Sequence, residues 1–249
     1  MPPGNVLITI PISHYCEKAR WALDHAGIAF TERAHLQMIH RVVVRRAGGG
    51  TTVPVLVCDE GVLGESEAIV RYADRRGPPE RSLFPASLEE EIAALEADFD
   101  NGLGPAGRLW MYFELRGRGD VAAAYACTGV PAWQRRAFPF AYPLVTRLID
   151  RYLKITPEAA IAARSEVDAA FDRVGEQLAD GRPYLLGDRF TAADLTFAAL
   201  AAAVLMPPEY GVPLPQPGEL PPAMASGVDA WRAHPAGAHA LRMFREHRR

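Results

Sequence analysis

The chain has 249 residues, of which 49% are apolar and 23% charged, and its formal net charge is −3. This apolar fraction is enough to bury a core, so we do not expect a disordered chain, and the length suits two small domains better than one. Because the net charge is slightly negative and no basic stripe is present, we expect no nucleic-acid partner.

The first third of the chain predicts alternating strands and helices, from β-branched runs followed by helical periodicity. The predicted elements are a strand at 6–10, a helix at 16–26, a strand at 28–33, an irregular helix or loop at 37–46, a hairpin of strands at 53–58 and 62–63, and a helix at 66–76. The predicted order is therefore β-α-β-(α)-β-β-α.

The rest of the chain predicts helices only, after a linker rich in proline and glycine. The predicted elements are a long helix from about residue 87, helices at 141–155, 157–178 and 195–206, an extended loop at 207–222, and two short helices within 231–249 that break at His234-Pro235. We therefore expect an α/β domain at 1–79, a linker at 80–86 and an all-helical domain at 87–249.

The start of the predicted helix near residue 195 has a recognisable capping pattern. Thr191 and Asp194 are spaced as a capping box, and Phe190 and Leu195 are spaced as a hydrophobic staple. We expect this motif to be structural, without a catalytic role.

Two short stretches together indicate a site that holds a thiol. Ser13-His14-Tyr15-Cys16 follows the first predicted strand, at a turn where helix N–H groups stabilise negative charge. Pro54 lies inside a strand-like run, which is out of place unless the Val53–Pro54 bond is special, for instance cis.

Four patches of the chain resemble the soluble glutathione S-transferase family. They are Ser13-x-x-Cys16-x-x-x-Arg20, Val53-Pro54 at the family's cis-proline position, the pair Glu65-Ser66 that opens a helix, and the helix-start motif at 187–195. The resemblance covers nearly the whole chain. It is specific because all four patches occur in the family's order and spacing. It implies a thioredoxin-like N-terminal domain followed by an all-helical C-terminal domain, with glutathione as co-substrate. It also implies a homodimer with a role in detoxification.

The resemblance to serine-type members implies that Ser13 activates glutathione for conjugation to a small hydrophobic electrophile. A free thiol has a pKa near 8.5, so a hydroxyl donor and a helix N-terminus are needed to stabilise the thiolate. Cys16 is the rival catalytic residue, because Ser-x-x-Cys is similar to a redox Cys-x-x-Cys motif, and a glutathione-dependent thiol reductase stays open. Tyr15 is a candidate for a second hydroxyl donor, whereas we expect ordinary packing for His14.

The same resemblance assigns the other glutathione contacts. The backbone of Val53, between Thr52 and Pro54, would pair with the cysteinyl part of glutathione. Ser66 suits the γ-glutamyl carboxylate, and Glu65 suits the neighbouring ammonium. The glycyl carboxylate needs a cation or an amide donor, and its candidates are His40, Arg41, Arg45 and Arg46.

The second substrate is expected between the two domains. Its predicted lining comes from the helix around 103–115, with Trp110, Tyr112 and Phe113, and from the loop at 207–222. A non-catalytic binding or interaction module is the alternative, with the apolar stretch 138–155 facing a partner or a membrane surface. For that stretch we favour an ordinary core helix.

The cysteines indicate a reducing compartment. Cys16, Cys58 and Cys127 are odd in number and scattered, so we expect a cytoplasmic protein without a disulfide framework. No His/Cys cluster has metal-ligand spacing, so we expect no metal. The first residues lack a signal-peptide pattern and no apolar run reaches membrane-spanning length, so we expect no stable membrane insertion.

Overall fold

The computed structural model describes residues 4–248. Residues 1–3 and residue 249 lie outside the described residues, and with them the first part of the segment that lacks a signal-peptide pattern. A four-stranded sheet forms the N-terminal part, in the order β2-β1-β3-β4. The strands are β1 (Asn5–Thr9), β2 (Phe30–Ala34), β3 (Val55–Cys58) and β4 (Gly61–Gly64). β1 is parallel to β2 and antiparallel to β3, which forms the predicted hairpin with β4.

Helices α1 (His14–His25), α2 (Ile39–Arg46) and α3 (Ser66–Arg76) cover the sheet. Side chains alternate between the two faces of a strand, so neighbouring residues of β1 enter different cores. Leu7, which pairs with Leu56 of β3, belongs to the core that includes α1 and α3. Ile8 packs instead with Val44 of α2. This is the thioredoxin-like N-terminal domain that the sequence predicts.

The segment 37–46, predicted as an irregular helix or loop, forms the helix α2 from Ile39 to Arg46. Of its three consecutive valines, Val44 is fully buried, whereas Val42 is 51% exposed. A strand would place Val42 and Val44 on the same face, whereas a helix places only one of them against the sheet. Packing of this single face therefore outweighs the local β propensity of the valine run.

The remainder of the described chain is helical. Its helices are α4 (Glu89–Asp98), α5 (Gly104–Glu114), α6 (Gly119–Ala126), α7 (Ala132–Leu153), α8 (Pro157–Gln177), α9 (Ala192–Leu205), α10 (Pro222–Ala233) and α11 (Pro235–His247). All residues of α9 are buried, as predicted for this alanine-rich segment. This is the expected all-helical C-terminal domain, while the boundaries at 79 and 87 stay predictions.

The capping prediction at the start of α9 is confirmed. Thr191 and Asp194 form a capping box, in which Asp194 Oδ2 accepts from the Thr191 backbone N–H at 3.1 Å. Asp194 Oδ1 also accepts from the Leu185 backbone N–H at 2.8 Å. The carboxylate therefore ties the preceding loop to the first turn of α9.

The prediction of an ordinary core helix for 138–155 is wrong. The helix begins much earlier, at Ala132, and its first turns pack on the sheet: Gln134 accepts a hydrogen bond from the Leu36 backbone N–H, and Phe138 is buried beside β2. Farther along, α7 exposes a row of large apolar side chains at four-residue spacing. These are Phe140, Leu144, Leu148 and Tyr152, which are 88%, 61%, 40% and 69% exposed.

Candidate functional site

Ser13 caps α1 at the junction between the two domains. Its backbone is extended, and its Oγ accepts a hydrogen bond from the Cys16 backbone N–H at 3.4 Å. The half-buried side chain lines a cavity of about 650 Å³, which we call the larger cavity. Its hydroxyl thus lies beside the free N–H groups of a helix N-terminus, which stabilise negative charge.

Cys16 lies one turn inside α1 and does not line this cavity. Its side chain is fully buried, and burial raises the pKa of the thiol more than Arg20 and Ser13 lower it. A thiol reacts as the thiolate, so a buried thiol with a raised pKa is a poor nucleophile. The environment of Cys16 therefore favours a packing role over the predicted catalytic one.

Tyr15 lines the larger cavity, but its hydroxyl is already used. Tyr15 Oη donates to the Asp100 backbone carbonyl at 2.7 Å, and burial raises the pKa of the phenol to about 12. Asp100 belongs to the π-helical stretch Phe99–Leu103 between α4 and α5. A side chain at Gly104 would collide with the Tyr15 hydroxyl. Tyr15 is therefore an anchor of α1, and this geometry does not support the predicted second donor.

The Val53–Pro54 bond is cis, as the sequence suggests. Thr52 and Val53 line the larger cavity, whereas Pro54 is buried behind them. Because Val53 precedes β3 and has no partner in the sheet register, its backbone lies at the cavity wall rather than within the sheet.

His40, from α2, also lines the larger cavity. Its ring is buried and its Nδ1 has no hydrogen-bond partner. Burial, followed by the charge of Arg41, lowers the pKa of His40, so the imidazole is neutral at neutral pH. Arg41 lines the cavity as well, whereas Arg45 and Arg46 are exposed and do not.

Glu65 and Ser66 open α3 next to the larger cavity, although neither lines it. Thr52 Oγ1 donates to Glu65 Oε1 at 3.2 Å, which joins this pair to the cavity wall. Glu65 has a φ of 65°, in the region that favours glycine. Strained residues of this kind cluster at functional sites, and Met38, with a φ of 71°, is another one in the cavity wall.

Two residues of the cavity that were not predicted as functional have buried polar atoms without a partner. His14, for which we expected ordinary packing, lines the cavity with an unpartnered Nε2, and burial lowers the pKa of its ring to about 3. Arg108, from α5, also lines the cavity, and its buried Nε has no partner. Nothing in the local sequence marks Arg108, because only the tertiary fold brings α5 to α1.

A second, more apolar cavity of about 460 Å³ adjoins the first, with Met111 and Tyr112 in both walls. The loop predicted at 207–222 contributes Tyr210 and Leu214. Tyr112 thus lies where it was expected. Trp110 does not, because it is buried against Trp231, with ring centroids 4.7 Å apart. Phe113 does not line this cavity either; it packs under Arg116.

Residues 4–248 offer neither a membrane span nor a metal site. No helix there combines the length and the apolar character needed to cross a membrane. In the same residues, no group of His, Cys, Asp or Glu side chains is arranged to hold a metal ion.

The fold and the site define a class of protein in which a thioredoxin-like domain and a helical domain together line a cavity at the N-terminus of α1. Family models agree with this class over most of the chain. Residues 7–81 match the glutathione S-transferase N-terminal domain, and residues 78–234 match the glutathione S-transferase C-terminal domain. The chain therefore belongs to the glutathione S-transferase family.

Solved structures share the fold at low sequence identity. A glutathione S-transferase of Ceriporiopsis subvermispora in complex with glutathione is 18% identical, with 98% of this chain and 97% of that chain covered and a TM-score of 0.67. The theta class enzyme of Xanthomonas axonopodis pv. citri, with glutathione bound, is 21% identical, with coverages of 97% and 98% and a TM-score of 0.56. The Tau class enzyme of mango is 16% identical, with coverages of 97% and 94% and a TM-score of 0.54. A search of curated proteins gave no match.

Proposed function

We propose that the protein is a glutathione transferase that binds glutathione in the larger cavity and conjugates it to a small electrophile in the apolar cavity. The observation that carries this proposal is the convergence of Ser13, His40, Thr52 and Val53 on one cavity wall. Family membership and the glutathione-bound structural neighbours support the choice of thiol.

The residues of this wall suit each part of glutathione. The Ser13 hydroxyl and the N-terminus of α1 would stabilise the thiolate. Ser66 and Glu65 would take the γ-glutamyl carboxylate and ammonium, and the Val53 backbone would pair with the cysteinyl part. His40 or Arg41 would take the glycyl carboxylate. Unpartnered buried atoms at His14 and His40 fit a cavity that accepts a polar ligand, because such atoms are costly in a folded protein.

The proposed reaction is nucleophilic substitution or addition by sulfur. In a substitution, a C–S bond forms, the leaving group departs with the electrons of its bond to carbon, and the thiol proton passes to solvent. Ser13 lowers the cost of losing this proton, and the shared wall of the two cavities brings the reactants together. A reductase using Cys16 would require an accessible thiolate, which the burial of Cys16 disfavours.

Isothermal titration with reduced glutathione tests the proposal. We expect saturable binding to the unaltered protein and binding at least tenfold weaker in Glu65→Ala and Ser66→Ala, the loss of one charge-assisted contact. Glu67→Ala is the matched control for the carboxylate, since Glu67 is exposed on the same helix and its ion-pair partner within residues 4–248 is Arg71. Ser165→Ala is the control for the hydroxyl. Absence of binding at millimolar glutathione would refute the proposal and favour a non-catalytic interaction module.

The predicted homodimer and the role in detoxification follow from the family resemblance alone, and the cytoplasmic location follows from the pattern of cysteines. They stay predictions of this proposal. The serine-type assignment is likewise part of the proposal, and it depends on Ser13.

A further inference from the structure

The charged side chains that line the larger cavity are all arginines, while the carboxylate of Glu65 lies behind the wall, bonded to Thr52. Three arginines line it, namely Arg41, Arg108 and Arg151. No Asp or Glu lies among its lining residues, and none of the three guanidinium groups has an ion-pair partner within residues 4–248. Both lining histidines, His14 and His40, are neutral at neutral pH because burial lowers their pKa. The lining thus favours anions beyond a single charge.

Glutathione itself has candidate partners on the N-terminal domain. Its two carboxylates are assigned to the start of α3 and to His40 or Arg41, and its sulfur is assigned to Ser13. Arg108 lies on the other wall, on α5 of the helical domain. None of the assigned glutathione contacts requires it.

Arg108 lies close in sequence to residues that the two cavities share. It precedes Met111 and Tyr112 by about one helical turn, and these two residues line both cavities. Its guanidinium carbon is 6.0 Å from the centroid of the Tyr15 ring. Its Nε is buried and has no hydrogen-bond partner. A charged donor buried without an acceptor is costly, so such an atom indicates a site for an acidic ligand.

We propose that Arg108 binds the carboxylate of an anionic electrophile, whose apolar body enters the adjoining cavity. The substrate class is then an organic acid with an apolar or aromatic body and a reactive carbon next to the glutathione sulfur. Arg suits this task because its planar guanidinium makes paired hydrogen bonds to a carboxylate. This inference rests on the proposed function, since it names the second substrate of the same site.

Ligand binding without glutathione tests the anion site on its own. The probes are 3,5-dinitrobenzoate and its uncharged counterpart 3,5-dinitrobenzamide, titrated by calorimetry into the full chain. We expect the acid to bind at least tenfold more tightly than the amide, and Arg108→Gln to remove this preference. Arg108→Lys should retain part of it, because charge remains but the paired geometry is lost. Arg136→Gln removes an equal charge from an exposed position outside both cavities and should change nothing.

Turnover then separates a role toward the electrophile from a role toward glutathione. With 4-chloro-3,5-dinitrobenzoate, sulfur replaces chloride, which leaves as the anion while the thiol proton goes to solvent. We expect Arg108→Gln to lower kcat/KM for this acid at least tenfold, mainly through KM, and to change kcat/KM for 1-chloro-2,4-dinitrobenzene less than about twofold.

Three results would overturn the inference: equal affinity for the acid and the amide, no binding of the acid, or equal losses with both electrophiles. Failure of the proposed function is a different result. In that case glutathione does not bind, while the preference for the acid over the amide is still measured independently.

Discussion

Ser13 and Cys16 share one turn of α1, and burial separates their chemistry. The Ser13 hydroxyl reaches the cavity, whereas the Cys16 thiol points into the core with a raised pKa. A hydroxyl at a helix N-terminus needs no ionisation of its own to stabilise a thiolate, because it donates a hydrogen bond. Of Ser13 and Cys16, the residue that reaches the cavity is thus the one whose neutral side chain can donate a hydrogen bond to a thiolate.

Ser13→Ala tests this division. Without the hydroxyl donor, the pKa of bound glutathione should rise, and turnover at neutral pH should fall by about 10- to 100-fold with little change in glutathione affinity. The deficit should shrink as pH rises, because the thiol then ionises without help. The thiolate is measured by its ultraviolet absorbance against pH. Cys16→Ala should keep the pH profile of turnover of the unaltered protein. If Cys16→Ala lost activity while Ser13→Ala kept a normal pH profile, Cys16 rather than Ser13 would be the catalytic residue.

Local sequence patterns predict some elements better than others. The limits of α3 are those predicted, because helical periodicity holds over Ser66–Arg76 and Gly77-Pro78-Pro79 ends it. Helix α6 was not predicted, since Gly117 and Gly129, both at positive φ, make this region look like a loop. Helix α10 begins at Pro222 rather than near residue 231, because a proline at the first position suits a helix start. Errors of this kind arise where the same residue type both begins and breaks a helix.

Site residues divide in the same way. Ser13 and Val53 were predicted because each belongs to a short motif at the end of a strand or helix. Arg108 was not predicted, since its place in the cavity wall depends on how α5 crosses α1 rather than on its neighbours in sequence. The predicted lining of the apolar cavity was correct for Tyr112 and the loop at 207–222 but wrong for Trp110 and Phe113. Helical periodicity does not say which aromatic residues of α5 face the core and which face the cavity.

At the start of α9, stability and catalysis should be separable. Thr191→Ala should cost about 1 kcal/mol through loss of a cap. Asp194→Ala should cost about 3 kcal/mol, because it leaves buried N–H groups of Thr191 and Leu185 without acceptors. Urea unfolding measures both, and Thr156→Ala, which removes the exposed cap of α8, gives the cost of a lost cap at another helix for comparison. Both variants should bind glutathione normally when folded, so lost affinity at full folding would contradict a purely structural role.

Across the whole molecule, α1 connects the two domains through buried charges. Lys18 Nζ lies 3.1 Å from Glu96 Oε1 of α4 and 2.8 Å from Asp100 Oδ2. Glu96 Oε1 also accepts from Thr196 of α9 at 3.0 Å. Lys18 is fully buried and Glu96 nearly so. One ammonium thus links the helix that carries Ser13 to three parts of the helical domain, so the domains should unfold together.

Lys18→Met tests this connection, because it leaves buried carboxylates without their cation. We expect a loss of about 3–5 kcal/mol in the free energy of unfolding. Burial already raises the pKa of Glu96 against the opposing charge of Lys18, so removing Lys18 should raise it further. A carboxyl whose pKa is raised in the folded state binds its proton more tightly there than in the unfolded chain. The penalty should therefore be smaller at pH 5 than at pH 8.

Glu96→Gln in the Lys18→Met background separates the charge effect from lost packing. The amide removes the unpaired charge. It should therefore restore part of the lost stability and abolish most of the added pH dependence. Arg173→Met breaks an exposed ion pair with Asp98 and should cost no more than about 1 kcal/mol, nearly independent of pH in this range. If Lys18→Met behaved like Arg173→Met, the buried cluster would not couple the domains. A single unfolding transition in the unaltered protein that splits in two in Lys18→Met would show the coupling directly.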